Sequence, residues 1–297
     1  MKEFRTGYVS IIGRPNVGKS TLLNHLVEQK LSIVSRKPQT TRWNLLGIKT
    51  SSDAQIIFID TPGLQKEPKL ALNQHMNREV SNTLGHIDII LFVVEALKWN
   101  ELDENVVNLL KRTSEAKVFL VLNKVDKVAN KNELLSFIEK VSKEIDFKEV
   151  IPLSAIKGDG IEGLESSIIK SLPVSPALFP EDQVTDRGER FFAAEFIREK
   201  LMTRLSDELP YHLSITIDEF KEKNNVLHIH ACIWVERKGQ KSIVIGKEGS
   251  VLKAVGKEAR KDLEIMFDKK VNLKTWVKVK KKWTDSEQAL KQFGYYE

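Results

Sequence analysis

Five short segments, in fixed order along the chain, carry residue types that together can hold a nucleotide by its phosphates and its base. The first, Gly13-Arg14-Pro15-Asn16-Val17-Gly18-Lys19-Ser20 with Thr21 behind it, fits the pattern G-x-x-x-x-G-K-[ST]. Its glycines let the loop curl with amide hydrogens pointing inward, a nest for the α- and β-phosphates. Lys19 supplies a point charge for the β- and γ-phosphates, and the Ser20 hydroxyl is a magnesium ligand. The loop opens a helical stretch at Lys19, whose dipole adds to the attraction. A plain glycine turn before a helix is a weak alternative once Lys-Ser follows.

Thr40-Thr41 is the second segment, a polar pair that gains meaning only from its neighbours. The third is Asp60-Thr61-Pro62-Gly63. Asp60 would reach magnesium through a coordinated water, and the Gly63 amide can bond a γ-phosphate only while that group is present, which makes the loop beyond it a switch. The fourth, Asn123-Lys124-Val125-Asp126, carries the base code. A carboxylate at Asp126 accepts from guanine's ring N–H and exocyclic amine together, whereas adenine offers no such donor pair. The Lys124 stem can lie on the base plane while Asn123 ties this loop to the phosphate loop. Ser154-Ala155, the fifth, would offer a backbone amide to the guanine oxygen. The ligand these residues predict is GTP or GDP with Mg2+.

Elements of a particular kind must position them. Tyr8–Ile12, Ala54–Ile59, Ile87–Val94 and Lys117–Leu122 read as strands, and Lys19–Glu28, Leu70–Leu84, Glu101–Arg112, Asn132–Ile145 and Ile161–Leu172 have helical spacing. Alternation of this kind predicts a doubly wound α/β sheet, with ligands beyond the carboxyl ends of the strands. The phosphate loop, Asp60, Asn123 and Ser154 each follow a strand-like run, so they converge on one edge. A GTPase domain over residues 1–173 is the expectation. Three prolines at 173, 176 and 180 then mark a linker over 174–188.

A second domain over 189–297 begins with a helical stretch, Glu189–Leu205, whose Phe192, Phe196, Ile197 and Leu201 share one face. Strand-like Leu213–Ile217 and Val226–Val235 follow, then the apolar Ser242–Ile245 and the tetrapeptide Gly246-Lys247-Glu248-Gly249. A helical pattern over Val251–Phe267 and an alternating strand over Val271–Val279 close the unit. Net charge is +6, but the window Arg237–Lys282 holds fifteen Lys and Arg against five Asp and Glu, about +10, leaving about −4 for the rest. Such a segment is the electrostatic footprint of phosphate-backbone binding, although on charge alone a solvated lysine-rich face is the better reading. A single cysteine, Cys232, rules out an internal disulfide and suits a reducing compartment. The opening residues run into a strand without an apolar signal segment, and no apolar stretch approaches a bilayer's thickness, so the cytoplasm is expected. His228 and His230 share a strand face without a third metal ligand nearby. Trp276 and Trp283 could stack on bases, although packing is the commoner role for such residues.

The first part resembles the translation-factor-related bacterial GTPases, and Gln39-Thr40-Thr41-Arg42 before a strand resembles the Era family in particular. The resemblance implies a P-loop NTPase sheet in which Thr41, or Thr40, is the switch threonine that caps magnesium. Asn16 matches an asparagine that in several related GTPases binds potassium as a cationic finger; a turn-stabilising role is the other reading. Leu64 stands where Ras-like proteins carry a water-orienting glutamine, with Gln65 one residue late, so slow intrinsic turnover is expected. The second part resembles an α+β KH module of type II, whose Gly-x-x-Gly loop grips single-stranded nucleic acid. By that match Ile245, Gly246, Lys247, Glu248, Gly249 and Lys253 would meet RNA, with the acidic Glu248 side chain turned to solvent. Era proteins pair these two domains. The resemblance implies a monomer that assists small ribosomal subunit assembly by holding single-stranded RNA near the 3′ end of the small-subunit ribosomal RNA under GTP/GDP control. It also admits peripheral association at the inner face of the cell membrane. A GTPase assisting transfer-RNA modification is a rival, but such proteins carry a helical insertion and a C-terminal cysteine, and this chain ends Gln292-Phe-Gly-Tyr-Tyr-Glu297. A binding protein whose GTP does not turn over is a second rival, opposed by intact Lys19, Ser20 and Asp60.

Overall fold

The computed structural model describes residues 3–35, 37–63, 70–83, 87–113, 115–206 and 208–295. The chain divides into two compact units at Asp186/Arg187. In the first, β1 (Arg5–Ile12), α1 (Lys19–Val27), β2 (Leu45–Thr50), β3 (Ala54–Asp60), α2 (Ala71–Thr83), β4 (Ile89–Glu95), α3 (Glu101–Thr113), β5 (Lys117–Asn123), α4 (Asn132–Val141), β6 (Glu149–Pro152) and α5 (Ile161–Ser171) follow in turn. The strands lie in the order β2-β3-β1-β4-β5-β6. All pairs are parallel except β2 with β3, which is antiparallel.

Burial explains the sequence of the central strands. Every residue of β4 (Ile-Ile-Leu-Phe-Val-Val-Glu) is buried, as a strand covered on both faces requires. Phe92 sits edge-on to Trp99 at 6.0 Å and stacked on Phe147 at 6.5 Å between ring centroids. β1 lies between β3 and β4, so the chain leaves it first toward one side of the sheet and later crosses to the other. That reversal opens a crevice at the carboxyl end of β1, where the phosphate loop lies. Two strands of this sheet carry weaker sequence patterns: β2, an antiparallel edge, and β6, only four residues long.

The proline-rich segment after α5 does not leave the sheet at once. Ser175 donates to the Phe4 carbonyl and Ile48 to that of Val184. The fully buried Gln55 accepts from the amides of Leu178 and Phe179 at 2.8 and 2.9 Å and donates to the Phe179 carbonyl at 2.8 Å. Gln55 thus ties this crossing to the sheet alongside the two backbone bonds.

The second unit has the order α6 (Glu189–Arg204), β7 (Leu213–Lys223), β8 (Val226–Val235), α7 (Lys238–Ile245), α8 (Ser250–Phe267), β9 (Lys270–Val279) and α9 (Glu287–Gln292). β7 pairs antiparallel with β8, and β8 parallel with β9. α6 and α8 cover one face, burying Ile197, Leu201, Val255 and Ala259 against Ile215, Ala231, Ile233 and Val277. β7 runs well past Ile217, to Lys223. It absorbs a register shift between Ile217 and Glu219 and turns through Asn224-Asn225, both at positive φ, the geometry a tight two-residue hairpin requires. Trp283 is fully buried, packed on Phe293 and Tyr295, with its ring N–H on the His212 carbonyl at 3.3 Å; its role is packing. Cys232 is buried too, and burial pushes its thiol up to about 11, which leaves it chemically inert at neutral pH.

Candidate functional site

The phosphate loop joins β1 to α1, and α1 begins at Lys19 with Gly18 before it and no side-chain cap. The amides of its first turn therefore have no side-chain acceptor, the condition in which a helix start can bind an anion. Gly18 has φ 105°, and a Cβ there would lie 2.2 Å from Nδ2 of Asn123, so both conformation and space demand glycine. Lys19 is buried, its ammonium donating to the carbonyls of Gly13 at 2.9 Å and Arg14 at 3.1 Å. Burial lowers its pKa to about 8 against the opposing pull of Asp60. A desolvated cation in an amide-lined loop is a strong attractor for phosphate. Val17 is fully buried, Pro15 is half-buried, and Thr21 sits half-buried in the first turn of α1.

Asp60 ends β3 with no exposed surface. Burial raises its pKa, opposed by Lys19 and by three hydroxyls that donate to Oδ2: Ser32 at 2.8 Å, Ser20 at 2.9 Å and Thr41 at 3.3 Å. Ser20 and Thr41 lie 2.9 Å apart. The other oxygen, Oδ1, is buried and has no hydrogen-bond partner. Hard oxygen donors around an unmet carboxylate oxygen fit a small divalent cation, and Mg2+ in particular, which binds through few carboxylates and keeps part of its water shell. Among the described residues no cluster of three or more His, Cys, Asp or Glu offers a rival site. The buried Thr61 hydroxyl anchors the following turn on the Ile11 carbonyl at 3.0 Å. Pro62 and Gly63 are buried beside it, and a Cβ on Gly63 would press Pro15 at 2.9 Å. The positions read for water activation, Leu64 and Gln65, lie outside the described residues.

Asn123 joins three loops. Its Nδ2 donates to the Val17 carbonyl at 2.7 Å, and its Oδ1 accepts from the amides of Lys124 at 2.7 Å and Ala155 at 2.9 Å. Asp126 is exposed, with Oδ1 held by the Ser154 hydroxyl at 2.6 Å, so the carboxylate is oriented yet open. Lys124, at φ 66°, reaches back to the Asn16 carbonyl at 2.6 Å and to Glu95 Oε2 at 2.7 Å. Asn16 is exposed and also at φ 66°, a backbone state that asparagine tolerates well.

Sequence motifs did not single out the acids beneath these loops. Glu95 closes β4 in register with Asn123. Burial disfavours its charge, yet hydrogen bonds and charges of Lys124 and Lys98 hold the carboxyl down to about 2. Asp103, fully buried at the start of α3, takes Arg14 Nε at 3.1 Å. Ser32 is presented to Asp60 by Asn24, which accepts from the amides of Leu31 and Ser32 and donates to the Ser32 carbonyl. The available signal was the acid closing an otherwise apolar strand at the ligand edge of the sheet.

In the second unit the Gly-x-x-Gly segment joins α7 to α8. Gly246 has φ 74°, and a Cβ would come within 2.6 Å of the Val251 side chain; at Gly249, φ 77°, a Cβ would meet only the Lys253 side chain, at 3.9 Å. Lys247 and Glu248 are exposed, the latter's side chain clear of the loop core, and Ile245 is half-buried. Lys253, Lys257, Arg260 and Lys261 form an exposed basic stripe along α8, continuous with the loop. His230 sits 3.2 Å from Glu219 and edge-on to the part-exposed Trp276, while His228 neighbours Asn272 at 3.5 Å.

Residues 8–124 match the family described as 50S ribosome-binding GTPase, and residues 208–284 match the KH domain family. GTPase Era of Pseudomonas putida strain F1 is 50% identical over 98% of this chain and 97% of its own length, and that of Marinobacter nauticus is 52% identical over 98% and 95%. The fold superposes with a TM-score of 0.95 at 39% identity on Era in complex with MgGDPNP and nucleotides 1506–1542 of 16S ribosomal RNA, covering 99% of this chain and 100% of that one. With Aquifex aeolicus Era bound to GDP and AlF4- the TM-score is 0.94 at 38% identity, covering the same shares. By sequence over nearly its whole length, by domain order and by fold, the chain belongs to the Era family of GTPases.

Proposed function

We propose that this protein hydrolyses GTP to GDP and phosphate, and uses the nucleotide state to govern its hold on RNA at the 3′ end of small-subunit ribosomal RNA during subunit assembly. The observation that carries the nucleotide part is the Asn123 junction, which binds base-reading, phosphate and Ser154-Ala155 loops into one rigid site. In this reading Asp126 accepts from the guanine edge and the Ala155 region meets the guanine oxygen. Lys19 and the amides from Asn16 to Ser20 hold the phosphates, and Gly63 senses the γ-phosphate. Ser20 and Thr41 would hold Mg2+ directly and Asp60 through water; the ion neutralises charge on the β- and γ-phosphates when bound. With leucine at 64 no side-chain amide directly follows the Asp-x-x-Gly turn to orient water, so intrinsic hydrolysis is slow.

The RNA part is supported by the loop of Gly246–Gly249, by the basic stripe on α8, and by the solved Era relative bound to 16S nucleotides. Phosphates approach the glycine backbone, Lys247 and Lys253 add charge, and Ile245 gives bases an apolar surface. A cytoplasmic monomer with peripheral membrane contact belongs to the same reading; no helix among the described residues is long and apolar enough to cross a membrane. The exposed side chain of Asn16, at the rim of the phosphate loop, supports potassium as a cationic finger there.

Asp126→Asn should lose GTP and gain xanthosine triphosphate, a reversal on the order of 10⁴ in discrimination; unchanged preference in a nucleotide titration would refute the base assignment. Hydrolysis should run faster in potassium than in sodium, with the difference gone in Asn16→Ala; equal rates in both salts would leave Asn16 a purely structural role. For RNA, Gly249→Asp is the cleaner probe, because Gly246→Asp would also drive a Cβ into Val251. Gly249→Asp should weaken RNA binding and flatten its log–log salt slope by about 0.7 for each phosphate the loop no longer holds. GTP affinity should hold at the wild-type value; wild-type RNA affinity in the folded variant would sink the KH reading.

A further inference from the structure

Lys124 belongs to the base-reading segment, yet its ammonium does not lie free over a base position. It bridges the Asn16 carbonyl and Glu95, so that the base loop and the phosphate loop touch twice: through Asn123 on Val17 and through Lys124 on Asn16. Both ends of the second contact stand at φ 66°, a left-handed state that Asn16 tolerates well but that is uncommon for a lysine such as Lys124. The group that holds the Lys124 side chain is a carboxylate outside all five nucleotide segments. Glu95 is the last residue of β4, paired across the sheet with Asn123, and its side chain lies at the crossing of the two loops. Its Oε1 takes the exposed Lys98 at 2.6 Å, and its Oε2 lies 3.9 Å from the Arg14 guanidinium, itself fastened to the buried Asp103. One ionised carboxylate therefore faces a cation from the phosphate loop and a cation from the base loop.

We infer that Glu95 is a positioning residue for guanine-nucleotide affinity: its carboxylate holds the Lys124 ammonium on the Asn16 carbonyl and so locks the base-reading loop to the phosphate loop. The inference rests on the proposed guanine-nucleotide site, since it concerns how firmly that site grips its ligand. Glu95 belongs to none of the five nucleotide segments and acts through Lys124. Its removal frees Lys124 to swing away, loosens the Asn16 turn, and lets nucleotide leave sooner. The contact joins the base-reading loop to the phosphate loop and does not involve Gly63, so it should support GTP and GDP complexes alike.

The test uses the full chain and fluorescent GDP and GTP analogues in stopped flow and equilibrium titration, with the ligand-free melting temperature of each variant. Glu95→Gln, which keeps shape and loses charge, should raise nucleotide release about tenfold, because losing a buried charge partner acts mainly on dissociation. GDP and GTP should suffer alike, and KM should rise by a larger factor than kcat changes. Lys124→Met should weaken binding by at least as much. The double variant should be no weaker than Lys124→Met alone, since both remove one interaction. Additive losses, or wild-type release from Glu95→Gln, would overturn the inference. If Glu95→Gln folds poorly, Glu95→Asp keeps the charge on a shorter arm, and its release rate must fall between wild type and Lys124→Met; wild-type release would again overturn it. Failure of the wild-type protein to bind GDP would refute the underlying nucleotide reading instead.

Discussion

One side-chain amide, that of Asn123, carries the organisation of the first unit's functional edge. Buried at the end of β5, it donates to Val17 in the phosphate loop and accepts from Lys124 and Ala155. No other side chain of that length can donate on one side and accept twice on the other: aspartate lacks the donor, and leucine, though similar in shape, would leave the Val17 carbonyl and the Lys124 and Ala155 amides without this partner, two of these bonds being buried. Gly18 follows from this constraint, because the space a Cβ would need is already occupied by the Asn123 nitrogen. The sheet order serves the same junction: β5 lies beside β6 and one strand away from β1, so its end comes within reach of both other loops.

The five segments were legible because each is local: a few consecutive residues, four of the five segments in loops directly after strands. Most strands and helices in the first unit were equally plain, as in β4, apolar up to its closing Glu95, and the amphipathic α3. The acids and hydroxyls that support the segments were not. Glu95, Asp103 and Ser32 draw their meaning from partners brought near by the sheet, and a sequence shows no register. The extent of β7 was missed because its outer half, Asp218–Lys223, alternates charge without an apolar face; the Asn224-Asn225 turn was the signal that could have extended it. α7 was obscured by Ile243-Val244-Ile245, a β-branched run that helix packing overrides here. Helix α4 ends at Val141, short of the Ile145 that spacing suggested.

Electrostatics divides the labour between the two units. In the first, charge is confined: Lys19 and Asp60 are buried, each pushed by desolvation toward its neutral form, so that a phosphate and a cation are strongly favoured occupants. In the second, charge is spread over an exposed helix face and a glycine loop, an arrangement that suits a long, flexible polyanion better than a small rigid ligand. Both units open a helix behind a glycine without a side-chain cap, Gly18 in one and Gly249 in the other.

The central claim, that a single amide welds three loops into one guanine-nucleotide site, is tested most directly by GDP titration of Asn123→Ala alongside its ligand-free melting curve. Two or more buried groups would be left unpaired at about 1–3 kcal/mol each, so GDP affinity should fall by about a hundredfold or more while the second unit still binds RNA normally. A folded Asn123→Ala protein that binds GDP within a few-fold of wild type would contradict the account.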